Sequence, residues 1–535
     1  MLIGYLAFYV KHKENSIFMK ERYIAGIDIG TTGSKAGIFD LKGNILSGGY
    51  REYPCSYPKP NWIEQDPAFL ISQAMEASKE AIIKSGIKPS DIVSLGFSTQ
   101  RSCTIFLDKK NNLLRPMISW QDSRAHEEIN DILLKISAEE FYGITGFPIN
   151  TTWVLPKMLW VRKNEPGVWE KTDKIIQLQD YTLKAFGAQN FMVDVPDAGF
   201  YGLWDTNRHK WSSKILSLFE IDKNLLPEPM PSCTKAGFIS KYVSEKSGFA
   251  EGTPICVGAG DQNSAAVGAG IVYDGFASVS MGTAGNANAF LDSEFRDPFG
   301  KSMIVNHAIY GKWEIEGHQA GAAGVFRWFR DEIGALEKHR AEKNNQNVYK
   351  ILDELIAKTP AGAQGLVFLP VLASATSPRW NPDARGVLAG LAFSHDRGCL
   401  ARTFLEGITL EMKDILTSMI NSGVKISHVR LTGGASKSSV WNQIQSDTYN
   451  MVVETLKVTD TAVVGAAIMG GVGVGVFKDI RDGVEQMVRV DRKFEPNPKN
   501  AEIYAELYSI YCSIYEGLEE KKVFSRLAKL QSRYY

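Results

Sequence analysis

The chain of 535 residues has no CxxC pair, no HxxxH pair, no surplus of charge of either sign and no apolar run long enough to cross a bilayer. Each lack closes off a class of protein. Six scattered cysteines, Cys55, Cys103, Cys233, Cys256, Cys399 and Cys512, argue against a disulfide scaffold or a zinc ribbon and fit a reducing cytoplasm. With 60 Lys and Arg against 60 Asp and Glu, neither a nucleic acid nor an anionic membrane is expected as a partner. The apolar stretch Leu2–Val10 has nine residues, too few to span a membrane. It also lacks the basic start and small-residue cleavage site of a signal peptide. Residues 1–19 therefore read as an N-terminal extension. A GxxxxGK[ST] phosphate loop is missing. GxGxxG is a poor fit, because Gly471–Gly475 lies in a small-residue stretch that reads as packing. His126 and His318 read as surface or packing residues. What remains is ordinary globular composition, 44% apolar and 22% charged, with length for two or more domains.

The most informative feature present is a duplication. Asp28-Ile-Gly-Thr-Thr-Gly-Ser-Lys35 has a weaker copy, Ser280-Met-Gly-Thr-Ala-Gly285, about 250 residues later. Gly30, Thr31 and Gly33 align with Gly282, Thr283 and Gly285. Each copy reads as strand, tight turn, strand. Glycines at the turn let backbone N–H groups approach an anion, and Thr hydroxyls add donors. Two facing hairpins can grip a nucleotide's phosphates from both sides. Only the first carries a carboxylate, Asp28, where the second has Ser280, so only the first is suited to help hold a magnesium ion.

Strands are expected over Tyr23–Asp28, Lys35–Asp40, Ile45–Tyr53, Ile92–Thr99 and Ile255–Ala259. Asp66-Pro67 reads as an N-cap and first-turn proline opening a helix that ends at Ser85-Gly86. Helices are also expected over Arg124–Leu134, Lys157–Lys163, Gly324–Asp331, Asn347–Lys358, Leu400–Met419 and Asn500–Glu520. Further strands are expected over Leu366–Leu369 and Val429–Thr432. Alternating strands and helices in both halves indicate α/β domains, with a boundary at 262–266. Asp261, in Gly258-Ala-Gly-Asp-Gln262, stands at a strand's carboxyl end, where open α/β sheets bind ligands. A carboxylate there can take the proton of a substrate hydroxyl that attacks a phosphate. Gly433-Gly434, after the strand Val429–Thr432, lets a flat base or ribose approach the backbone. Gln100-Arg101 and Trp120-Gln-Asp122 follow strands. A Trp face suits the carbon side of a polyol, and Asp and Arg suit its hydroxyls.

Together these residues, from about Tyr23 to about Glu520, resemble the FGGY carbohydrate kinase family. The resemblance implies two actin-like ATPase (ribonuclease H-like) domains with an interdomain cleft, at 20–262 for sugar and phosphate and 263–535 for nucleotide. It implies ATP and Mg²⁺ as cofactors and a small sugar or polyol as substrate. It also implies a cytoplasmic homodimer. By the same resemblance Asp261 is the catalytic base. Asp28 is the metal-associated carboxylate, with Thr31, Thr32, Lys35, Gly282 and Thr283 on the phosphates. Gly433, Gly434 and Ser438 lie on the adenosine side. Gln100, Arg101, Trp120, Asp122 and Gln262 line the sugar. Pro156-Lys-Met-Leu-Trp160 and Gly386–Leu391 match the cores of the family's two patterns, while Thr152, Val154, Cys399 and Thr403 depart from them. Asn61–Pro67 and Trp120-x-Asp-x-Arg124 look closer to xylulokinases, whereas Arg101 is shared with glycerol and autoinducer-2 kinases. A pentulose kinase is the leading expectation. A polyol or autoinducer-2 kinase and a sugar-sensing ATPase stay open.

Overall fold

The computed structural model describes residues 22–534. The stretch Leu2–Val10 and the extension 1–19 lie outside the described residues. Two sheets organise the chain. The first holds β1 (Tyr23–Ile29), β2 (Gly33–Asp40), β3 (Ile45–Glu52), β4 (Ile92–Thr99), β5 (Lys235–Phe238) and β6 (Pro254–Gly260), in the order β3-β2-β1-β4-β6-β5. β1, β2 and β3 form an antiparallel meander, and β1, β4 and β6 run parallel. The second sheet holds β7 (Gly275–Met281), β8 (Gly285–Leu291), β9 (Met303–Asn306), β10 (Trp313–Gln319), β11 (Ile426–Thr432), β12 (Val452–Leu456) and β13 (Val490–Phe494), in the order β9-β10-β8-β7-β11-β12-β13. β10-β8-β7-β11-β12 repeats the directions of β3-β2-β1-β4-β6. The duplicated hairpin thus heads a duplicated sheet.

Period-2 alternation decides what each strand offers to each side. Ala25, Ile27 and Ile29 of β1 join Leu70, Ala74 and Ala77 of helix α1 (Pro67–Ser85) in one core. Ile24 belongs to a second core with Val463, Val464 and Ile468, and Gly26 lies against Val463 on the same side. Asp28, next in that row, is therefore presented on this second side at the strand's carboxyl end. In β10 the rule acts likewise: Ile315 joins Met412 and Ile415 of helix α3 (Arg397–Asn421) in the core, so Glu314, Glu316 and His318 take the opposite side.

Helix α2 (Asp261–Gly268) and helix α4 (Thr461–Gly473) cross between the sheets. Their approach is backbone to backbone. A Cβ on Gly465 would lie 1.9 Å from the Ser264 carbonyl oxygen, and one on Gly96 of β4 the same distance from that of Ala466. The small-residue run of α4 is thus a close-packing device, as its composition suggests, and a helix from late in the chain covers the first sheet. Among the described residues no helix is long and apolar enough to cross a membrane.

Asp66 caps α1 through the Ala68 and Phe69 N–H groups, and Gly86 ends it in the left-handed region at φ 68°. The helix expected over Arg124–Leu134 is confined to Glu128–Leu133, because Arg124 is held by Asp122 and Glu64. That expected over Gly324–Asp331 runs from Ala323 to Trp328 and opens into a π-turn at Phe329–Ile333. Among the elements beyond the expectations are β10 and a final helix, Val523–Tyr534.

Candidate active site

The first hairpin turns at Gly30–Gly33, closed by Gly30 N–H donating to the Gly33 carbonyl at 3.0 Å. Tyr53 pins it by donating its hydroxyl to the Gly30 carbonyl at 2.7 Å. Thr31 sits in a network: it donates to Gln100 Oε1 at 3.0 Å and accepts from Trp120 Nε1 at 2.9 Å. Gln65 links the two, accepting from Gln100 Nε2 and donating to the Thr31 carbonyl, each at 2.9 Å. Thr32 is exposed at the tip. Lys35 pairs with Asp460, just before α4. In the second hairpin Met281 pairs with Gly285 and Gly282 N–H bonds the Ala284 carbonyl at 3.0 Å. That turn is one residue tighter than the first, where Ile29 pairs with Ser34. Thr283 accepts at 3.2 Å from Arg327.

Asp28 accepts from the Ser98 hydroxyl at 2.7 Å. Burial pushes its carboxyl up to about 7, with Ser98 opposing and the negative charge of Asp261 adding to the rise. Asp261 opens α2 at the carboxyl end of β6. Burial raises its pKa also, against the pull of Arg101. Its side chain keeps 33% of its surface exposed, while Arg101 keeps 12% and Glu316 1%. Arg101 is the hub. Its Nη1 and Nη2 meet the two Glu316 oxygens at 2.5 and 3.0 Å, and its Nε lies 3.2 Å from Asp261 Oδ1. Its guanidinium also covers the Phe200 ring at 4.2 Å. The turn carrying it is braced: Ser102, at φ 60°, donates its N–H to Gln177 at 2.6 Å and accepts from Lys157 Nζ at 2.9 Å. Burial lowers Lys157 to about 8. Pro156-Lys157 thus serves as a prop beneath the Arg101 turn.

Asp261, Arg101 and Asp28 converge, with Gln262 beside Asp261 through its N–H at 2.7 Å. Asp122 is turned elsewhere: buried, it accepts from the Ile63 N–H at 2.6 Å and grips Arg124 at 2.7–3.0 Å. It stabilises the loop that carries Trp120. Gly434 has open space where a Cβ would stand, and Gly433 has φ 76°. Ser438 caps the helix Ser439–Tyr449 through the Trp441 N–H and donates to Asp353 at 2.9 Å. Ser436 braces the Gly433-Gly434 turn by donating its hydroxyl to the Gly433 carbonyl at 2.7 Å. His126 is exposed and His318 bonds Asn286 at 2.9 Å. Glu316 and Asp460 carry no local motif and were not singled out in the sequence.

Two like sheets, each led by a glycine-turn hairpin, with Asp28 and Asp261 converging at the carboxyl ends of the first sheet's strands, define a phosphotransferase of the actin-like ATPase fold. The chain belongs to the FGGY family of carbohydrate kinases: the family's N-terminal domain matches residues 23–268 and its C-terminal domain residues 277–474. It is an ATP-dependent sugar kinase. It is 28% identical to a xylulose kinase of Staphylococcus epidermidis over 94% of this chain and 98% of that one. It is 30% identical to a glycerol kinase 2 of Thermotoga maritima over 91% and 97%. A solved xylulose kinase structure from Rhodospirillum rubrum superposes with a TM-score of 0.85 at 27% identity, over 94% of this chain and all of that one.

Proposed function

We propose that the chain transfers the γ-phosphate of Mg-ATP to a hydroxyl of a small ketose, with xylulose the first candidate, and that Asp261 is the general base. The observation that carries this is the placement of Asp261. It is a partly open carboxylate at a strand's carboxyl end, between Arg101 and the Asp28 side of the first hairpin. The sugar hydroxyl gives its proton to Asp261 as its oxygen bonds to the γ-phosphorus and ADP leaves. Thr31, Thr32, Lys35, Gly282 and Thr283 hold the phosphates, and Gly433 and Gly434 take the adenosine. Gln100, Arg101, Trp120 and Gln262 line the sugar, with Asp122 shaping the Trp120 loop and Ser438 capping the helix after the Gly433-Gly434 turn.

Asp28 fits a magnesium ion shared with nucleotide phosphates. Mg²⁺ commonly keeps several waters and takes only one or two carboxylates. Among the described residues no group of three or more His, Cys, Asp or Glu could hold a metal alone. The ion supplies charge neutralisation on the phosphates when bound. The unit boundary at 262/263, a cytoplasmic setting and a homodimer complete the proposal. A polyol kinase is the second reading, supported by Arg101 and the glycerol kinase relative.

Sugar-dependent ADP release with Mg-ATP tests it across D- and L-xylulose, D- and L-ribulose, glycerol, erythritol and the autoinducer-2 precursor. One preferred substrate is expected, with kcat about 10²–10⁴-fold lower in Asp261→Ala. Equal turnover by variant and native protein removes Asp261 as base. ATP turnover indifferent to every sugar favours a sensing ATPase.

A further inference from the structure

Asp261 faces the cation Arg101 and several acids. Asp28 approaches from β1, and Asp197 from the short helix Val195–Gly199. Glu316 approaches from β10, with Glu314 two residues before it on the same side. The Cys103 thiol also lies within electrostatic range. A guanidinium among so many carboxylates has a choice of partners. Its two terminal nitrogens form a planar fork that suits one carboxylate at a time. If the fork closed on Asp261, the base would lose both basicity and access to a substrate hydroxyl.

Building on the assignment of Asp261 as base, we propose that Glu316 is a positioning residue that takes the Arg101 fork, leaving only Nε toward Asp261 and the base open to the cleft. The geometry is specific. Both Glu316 oxygens are used, at 2.5 and 3.0 Å, whereas the Asp261 contact is a single Nε approach of 3.2 Å. Phe200 covers the guanidinium at 4.2 Å, and Asn263 Oδ1 lies 3.4 Å from Nη1. Glu316 is almost fully buried and Asp261 is not. An acid so deeply buried needs its cation, so Arg101 stays with Glu316. Arg101 and Glu316 are 215 residues apart, the one in the turn after β4 of the first sheet and the other in β10 of the second.

The pH profile of kcat/KM for the sugar, taken with Mg-ATP saturating at every pH so that Asp28 stays ionised, tests this, because its acid limb then reports the free base. In Glu316→Gln the fork is released onto Asp261. The acid limb is expected to move down by at least ~0.5 pH unit, with the plateau reduced roughly tenfold or more. Glu316→Asp restores the charge and is expected to return the limb close to its native position. Arg101→Met removes the cation and is expected to move the limb up, whatever it does to the sugar KM. An acid limb in Glu316→Gln that coincides with the native one, or moves up, overturns the proposal, even if the plateau falls. Should that variant not fold, as judged by circular dichroism, Arg101→Met carries the test: an unmoved limb overturns it. Native turnover by Asp261→Ala would instead remove the base assignment on which the proposal rests.

Discussion

Asp28 combines burial with a nearby acid, and the outcome is a carboxyl that titrates at about 7 instead of 3.8. Between those values the folded chain holds a proton that the unfolded chain has released. This group's contribution to stability is therefore complete below about pH 4 and is lost as pH rises through about 7. Asp28→Asn is expected to flatten that part of the melting temperature against pH for the ligand-free protein. Asp194 is pushed to about 7 by burial as well, so the variant removes a share of the slope and not all of it. A metal ion must displace the same proton. The affinity for Mg²⁺ in the presence of ADP is expected to rise about tenfold per pH unit below 7 and to level off above it, as read by calorimetric titration. The residues that carry chemistry were legible where a local motif encloses them: Asp28 and Thr31 in a glycine turn, Asp261 after a strand. Glu316 and Asp460 were not. Their partners lie 215 and 425 residues away, and only the folded chain brings them together.

Elements were legible where their ends are chemically marked. Asp66, Pro67 and Gly86 bracket α1 as their residue types demand, and Asp66→Ala is expected to cost about 1 kcal/mol in chemical denaturation. The β10 segment, Trp313-Glu-Ile-Glu-Gly-His-Gln319, was opaque for the opposite reason. Its alternating polar side looks solvated, yet Glu314 and Glu316 are buried, because Asn263 of α2 donates to one Glu314 oxygen and Arg101, in the turn after β4, pairs with Glu316. Arg124 shows tertiary demand overriding a helical pattern: its side chain is spent on Asp122 and Glu64, and the helix begins only at Glu128. The α2–α4 crossing is the element-scale feature least tolerant of change. Gly465→Ala would set a methyl carbon 1.9 Å from a backbone carbonyl oxygen, with no flexible side chain to yield. A loss of roughly 3 kcal/mol or more is expected, seen as a lower denaturation midpoint at unchanged slope.

At the scale of the whole molecule, the repeated hairpin pointed correctly to a repeated sheet, since strand directions follow from the turns that join them. The packing of α4 was not legible, because α4 belongs by sequence to the second half and by packing to the first sheet. The fragment 22–274 made alone leaves Gly26, Gly96 and their neighbours without that cover. It is expected to be poorly soluble or to bind a hydrophobic dye, and co-expression with 275–535 is expected to restore a soluble complex. Recovery of a compact, monomeric 22–274 would show that the first sheet does not need α4.

The same lateness of α4 sets a schedule for synthesis. Roughly 200 residues separate the end of α2 from the end of α4, and translation adds about 5–20 residues each second. For about 10–40 s the nascent first sheet waits with one apolar face open, while the helix that will close it is still being encoded. Holdase chaperones, which bind such faces, therefore have a natural entry point during the birth of this protein, and it closes when α4 leaves the ribosome.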